Sequence, residues 1–180
     1  MKYVHTNIVA KDWRKLADFY IIDVCPTNDR QRIKENPEKQ GNIPLDNAIT
    51  KANVNKVFGC KEVYTKRDLK GKWIDRATGI NGVRIEGVNL RLPGHGDNGP
   101  TLEIFQYNKA TLQKIKRINQ QGLTHIAFRV EDVRKTLDAI IKAGGGKLSE
   151  IIHQDVPNLG CIILVYAKDP EGNFIELQKI

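Results

Sequence analysis

The chain has little cysteine, few aromatic residues and no long apolar run, and each shortage removes a class of protein. Three cysteines, Cys25, Cys60 and Cys161, occur in 180 residues, an odd number with no CxxC spacing. That argues against a disulfide framework and against a thiolate zinc site. Cys161 opens an apolar stretch and reads as a small buried side chain. The longest apolar run, Cys161 to Ala167, falls far short of the roughly 18 residues a membrane-spanning helix needs. Aromatics make up 7% of the residues, and no zinc finger, RNP motif or aromatic-interleaved basic helix accompanies the net charge of +8. Nucleic acid and membrane are therefore not expected partners, and the charge suits an anionic small molecule. The basic cluster KATLQKIKR at 109–117 reads as the solvated face of a connecting segment. The opening MKYVHTNIVAKDW has no signal-peptide core, so the expected location is the cytoplasm.

What the chain does have is a repeat. A constant offset pairs His5 with His125, Asp12 with Asp132, Arg14 with Arg134, Lys15 with Lys135 and Asp18 with Asp138. Each copy reads as an alternating strand followed by a helix. Asp12 and Asp132 are N-cap candidates, since a short side-chain oxygen can accept the free amides of a first helical turn. The second helix covers VRKTLDAIIKA and ends at Gly144-Gly145-Gly146. The copies also end alike. Gly99-Pro-Thr-Leu-Glu103 and Gly172-Asn-Phe-Ile-Glu176 are each a glycine turn followed by a strand bearing a glutamate. Asp169-Pro170-Glu171-Gly172 is hairpin-turn chemistry. VRIEGVNLRL (83–92) and CIILVYAK (161–168) read as the strands leading into these turns.

From His125 to Glu176 is 51 residues, and from His5 to Glu103 is 98. The first copy thus carries about 47 extra residues. Most fall between Tyr20 and Val57, a stretch with Pro26, Pro37, Gly41, Pro44 and a helix-like LDNAITKANVNKVFG.

The histidines and glutamates of the repeat form the chemical signal. Alternation puts His5 on one strand face with Asn7, and His125 on one face with Ala127 and Arg129. Ile8 with Ala10, and Ile126 with Phe128 and Val130, occupy the opposite, apolar faces. Glu103 and Glu176 each sit mid-strand between apolar neighbours, where a carboxylate is rare and costly to bury unpaired. Two-fold pairing of equivalent modules would bring two imidazoles and two carboxylates together, a good N/O set for a divalent cation. Each residue alone has a bland reading as a satisfied polar group or a surface residue. Four at repeat-equivalent positions favour ligands.

The chain resembles the vicinal oxygen chelate superfamily, the glyoxalase I and bleomycin-resistance fold. VHTNIVAKDWRKLADFY is similar to its opening strand and helix, and LTHIAFRVEDV and DPEGNFIEL to its second histidine strand and closing motif. FGCKEVYTKRDLKGKWIDRATGI, LRLPG and GPTLEIFQY resemble the remainder of the first module. The resemblance implies an α+β fold of two βαβββ modules pairing into a curved mixed sheet that cradles a metal site. It divides a single domain, 1–180, into a first module at 1–108 with an insertion at about 21–56, a connection at 109–121 and a second module at 122–180.

By the same resemblance His5, Glu103, His125 and Glu176 hold one divalent metal, Ni, Zn, Co, Mn or Fe. His/Glu/His/Glu is the glyoxalase I pattern. Methylmalonyl-CoA epimerases usually carry Gln where Glu103 stands, and extradiol dioxygenases use two histidines and one glutamate. The implied activity is a lactoylglutathione-lyase-like lyase or isomerase, with Glu176 as the base and Glu103 as its alternative. Asn7 and Arg129 are candidate substrate-binding residues. Glu86 is a further candidate acid that reads more readily as an exposed strand residue, while Cys60, His95 and His153 read as structural or solvent-facing. An acyl-CoA epimerase, an Fe(II) ring-cleaving dioxygenase and a non-catalytic small-molecule binder remain as alternatives. The family implies a homodimer, although 180 residues also allow the chain to pair its own modules.

Overall fold

A computed structural model describes residues 1–21, 57–111 and 116–180. Its elements in chain order are β1 (His5–Val9), α1 (Trp13–Ile21), β2 (Lys61–Lys70), α2 (Lys72–Thr78), β3 (Arg84–Arg91) and β4 (Thr101–Tyr107). After the connection come β5 (His125–Arg129), α3 (Val133–Lys142), β6 (Gly146–Lys147), β7 (Ile152–Val156), β8 (Gly160–Lys168) and β9 (Phe174–Lys179). Two mixed sheets result. One has the order β1-β4-β3-β2, and the other β5-β9-β8-β6 with β7 also on β8. In each, the opening strand lies parallel to the closing strand, β1 to β4 and β5 to β9. The fold is α+β, as the family resemblance implied. No described helix is long and apolar enough to cross a membrane.

The helices begin where the aspartates stand. Lys15 N donates to Asp12 Oδ1 at 3.3 Å, and Lys135 N to Asp132 Oδ1 at 2.9 Å. Those amides, foremost, hold both carboxyls below their ordinary value. Helix α1 buries Trp13, Leu16, Ala17, Phe19 and Tyr20, and α3 buries Val133, Thr136, Leu137 and Ile140, in each case a stripe at helical spacing. Helix α3 stops at the glycines, with Gly144 at φ +90° and Gly145 N donating to Ile140 O.

Three local features depart from the sequence reading. Helix α2 lies between β2 and β3, bounded by Gly71 and Gly79, and is too short to show a helical period. The second strand of the second module is broken into β6 and β7, because Leu148 N and Ser149 N both donate to Tyr166 O. Cys161 is exposed, not buried: it stands at the outer end of β8, next to Gly160, and the buried side chain there is Ile162. Residues 22–56, which hold nearly all of the expected insertion and most of LDNAITKANVNKVFG, lie outside the described residues.

One apolar cluster joins the two modules. It runs from Ile8, Leu16 and Tyr20 through Phe58, Leu102 and Ile104 to Val133, Ile140, Val165 and Leu177. Phe58 bridges it, with its ring 5.5 Å from Tyr20 and 4.2 Å from Phe128. Polar contacts fix the join. Tyr20 donates its hydroxyl to Asp169 Oδ2 at 3.0 Å. Glu171 accepts from Lys11 N at 2.7 Å and from Asp12 N at 2.8 Å, just ahead of α1. The turn expected at 169–172 is therefore also the clasp onto the first module. Tyr20→Phe leaves the buried Asp169 without this donor and is expected to cost about 1–3 kcal/mol. Urea unfolding checks this, and an unchanged midpoint would show that the hydrogen bond contributes nothing to the join.

Candidate metal centre

The repeat places its histidines and glutamates in matching registers. In the first sheet Asn7 pairs with Glu103, and His5 stands two residues earlier on the same face. In the second, Ala127 pairs with Glu176, and His125 stands two residues earlier. Each imidazole thereby meets its carboxylate diagonally across a parallel ladder. His5 Nε2 lies 3.6 Å from Glu103 Oε2, and His125 Nε2 lies 3.0 Å from Glu176 Oε2. The carboxylates are the less exposed members, with side chains 16% and 15% exposed, against 47% and 31% for the histidines. Each pair is a deep carboxylate capped by a more open imidazole.

Sequence reasoning missed the residues behind these carboxylates. On the neighbouring antiparallel strands Asn89 stands opposite Glu103, and Tyr166 opposite Glu176. Asn89 Nδ2 donates to Glu103 Oε1 at 2.9 Å. Tyr166 packs its ring edge against His125, and its phenol is pushed up by burial first and then by the charge and hydrogen bonding of Glu176. Tyr107 is also raised, by burial and then by Glu103. An asparagine between Val88 and Leu90 of β3 is itself a signal, because strands are depleted in Asn.

The other candidates fall as follows. Asn7 Nδ2 reaches the Glu103 backbone carbonyl at 3.5 Å. Arg129 donates to the backbone oxygen of Ile180 at 2.8 Å. Glu86 pairs with Arg84 and with Gln106 in register, which puts it on the sheet face opposite Glu103. His95 and His153 are exposed, and Cys60 is buried, which pushes its thiol up to about 12.

The donor set, two imidazole nitrogens and two carboxylates, fits a borderline divalent ion. Within one chain, though, the donors form two separate pairs. Among the described residues no group of three or more His, Cys, Asp or Glu side chains could hold a metal ion. Among the described residues the opening strands β1 and β5 each have one ladder partner and stand at a sheet edge. Both border a cavity of about 720 Å³, lined by Thr6, Val9, Gln106, His125, Asn173 and others. Of the four donors, His125 alone reaches it.

The Glyoxalase/Bleomycin resistance protein/Dioxygenase superfamily matches residues 54–177. The chain belongs to this superfamily. A glyoxalase family protein from Bacillus cereus superposes on it with a TM-score of 0.61 at 17% identity, over 99% of this chain and 92% of its own. A glyoxylase/bleomycin resistance protein/dioxygenase domain from Frankia sp. EAN1pec gives a TM-score of 0.49 at 15% identity, over 99% of this chain and 95% of its own. No curated protein matches the chain. Glyoxalase-superfamily membership fixes the fold and leaves the reaction to the site residues. If Glu103 is a ligand, Glu103→Gln weakens one donor and lowers metal retention. Glu86→Gln, on the other sheet face, is expected to leave it unchanged. Elemental analysis of both purified variants is the check, and equal loss in both would remove Glu103 as a ligand.

Proposed function

We propose that this chain is a metal-dependent lyase or isomerase of the glyoxalase I type. His5, Glu103, His125 and Glu176 hold one divalent ion, Ni, Zn, Co, Mn or Fe. The observation that carries this reading is the matched register of the two His–Glu pairs, each with a carboxylate some 15% exposed facing an imidazole nitrogen. A lone buried carboxylate is costly, and a shared cation offsets that cost in both pairs at once. The site is completed in a homodimer, where His5 and Glu103 of one copy meet His125 and Glu176 of the other. Among the described residues, the edge positions of β1 and β5 and the separation of the two pairs within one chain support this.

When bound, the ion supplies Lewis-acid polarisation of a substrate carbonyl oxygen. Glu176 takes the proton from the carbon α to that carbonyl and returns it to the neighbouring carbon. Its carboxylate stands at the site itself, which satisfies geometry before pKa. Glu103 is the alternative base on the other side. Arg129, at the end of the His125 strand and on the same face, receives an anionic substrate arm, and Asn7 lines the first half-site. The net charge of +8 suits a small anionic substrate in a cytoplasmic enzyme.

Two measurements test this. With sites shared between copies, His5→Ala and His125→Ala are each inactive alone. Mixed and refolded together, they regain activity, because one of the two sites in the mixed dimer is intact. Failure to regain activity, with dimers formed, would instead place each site within one chain. For the reaction, the α-deuterated glutathione adduct of methylglyoxal is expected to turn over with an isotope effect. Glu176→Gln is expected to slow it by about 10²–10⁴-fold. Oxygen uptake with catechols, dependent on Fe²⁺, would replace the reading with a dioxygenase. Inactivity in both assays, with tight binding of a bulky ligand, would favour a binding protein.

A further inference from the structure

Glu103 and Glu176 occupy equivalent positions in the repeat, yet their surroundings differ. Behind Glu103 stands Asn89, a polar side chain only 3% exposed in an otherwise apolar stretch of β3. Its amide is engaged at both ends. Nδ2 donates to Glu103 Oε1 at 2.9 Å, while Oδ1 accepts from Arg67 Nε at 3.2 Å. Arg67 can only donate and an ionised Glu103 can only accept. A flipped amide would set NH₂ against the guanidinium and oxygen against the carboxylate. The two neighbours therefore hold the amide in one orientation.

The strand geometry is built for this contact. β2 pairs Val63 with Asn89, then shifts register so that Arg67 pairs with Gly87. The shift contains Tyr64 at φ +63°, an uncommon conformation for a non-glycine residue. Without the extra residues Arg67 would stand opposite Ile85, two positions further from Asn89. The guanidinium also lies 5.7 Å from the Tyr64 ring, so the bulge both delivers Arg67 and holds it. Asn89 acts as a neutral spacer. Arg67 orients the amide without itself pairing with Glu103, which an arginine in direct contact would neutralise.

We propose that Asn89, oriented by Arg67, is a positioning residue that occupies Glu103 Oε1 and leaves Oε2, the oxygen facing His5, as the single atom Glu103 offers to a metal. This rests on the metal-site reading above. In the second module the equivalent position holds Tyr166, which offers one phenolic O–H in place of a two-ended amide.

The test is a Co²⁺ titration of the full-length protein followed by visible absorption, with thermal melting recorded in chelator. Native protein, Asn89→Leu and Arg67→Met are compared. Asn89→Leu is expected to weaken Co²⁺ binding about 10- to 100-fold. It should also shift the visible bands, as Glu103 becomes free to offer both oxygens. Arg67→Met, at a half-exposed site, is expected to weaken binding in the same direction; losing the donor to Asn89 costs some stability, and a cooperative melt in chelator shows that the variant is folded. It keeps the test open if Asn89→Leu does not fold. Affinity and bands unchanged in Arg67→Met and in any folded Asn89→Leu would overturn the proposal while leaving the metal site standing. If native protein takes up no Co²⁺ while remaining folded, the metal-site reading and this one fall together.

Discussion

A carboxylate taken out of water must find its partners inside the protein, and Asp169 draws the rest of the structure around that need. It is 3% exposed, and burial pushes its pKa up although every hydrogen bond it accepts pulls the other way. Three donors come from its own turn: Glu171 N, Asn173 N and Asn173 Nδ2. The remaining one, the hydroxyl of Tyr20, comes from the first module. Held by these bonds, the turn sets Glu171 where it accepts the amides of Lys11 and Asp12. Those amides lie between β1, which carries His5, and α1. The turn leads in turn straight into β9, which carries Glu176. The clasp therefore sets the spacing of elements that bear donors in both modules.

Burial also explains why the candidate site is built as pairs. Glu103 and Glu176 stand on strands flanked by apolar residues that cannot be exposed without opening the core. Each carboxylate instead finds its partners on the neighbouring strands, a histidine across the parallel ladder and an Asn or Tyr across the antiparallel one. Such partners tolerate a charge and remain able to share it with a cation.

The sequence made some of this readable and hid the rest for identifiable reasons. The repeat exposed His5, Glu103, His125 and Glu176, because strand alternation and matched spacing are local properties. The caps at Asp12 and Asp132 and the turn at 169–172 were readable for the same reason. Asn89 and Tyr166 were not, since their importance depends on the register between β3 and β4 and between β8 and β9. Arg67 was hidden further by a bulge that no composition announces. The buried reading of Cys161 failed because alternation within an apolar run says which residues share a face, not where the strand leaves the core. Helix α2, between two glycines, was too short for its period to register.

The repeat supplies equivalent positions, but equal positions need not do equal chemistry. An amide held at both ends restricts what Glu103 can present, whereas Glu176 faces a tyrosine with a single phenolic O–H. On the proposed reading a metal needs at least one carboxylate that does not move, and a proton transfer needs one that does. A symmetric repeat with two identical partners would offer both sites the same compromise. Replacing one partner on a neighbouring strand separates the two tasks without altering a single donor, and β2 departs from regular pairing at the point where Arg67 completes that replacement.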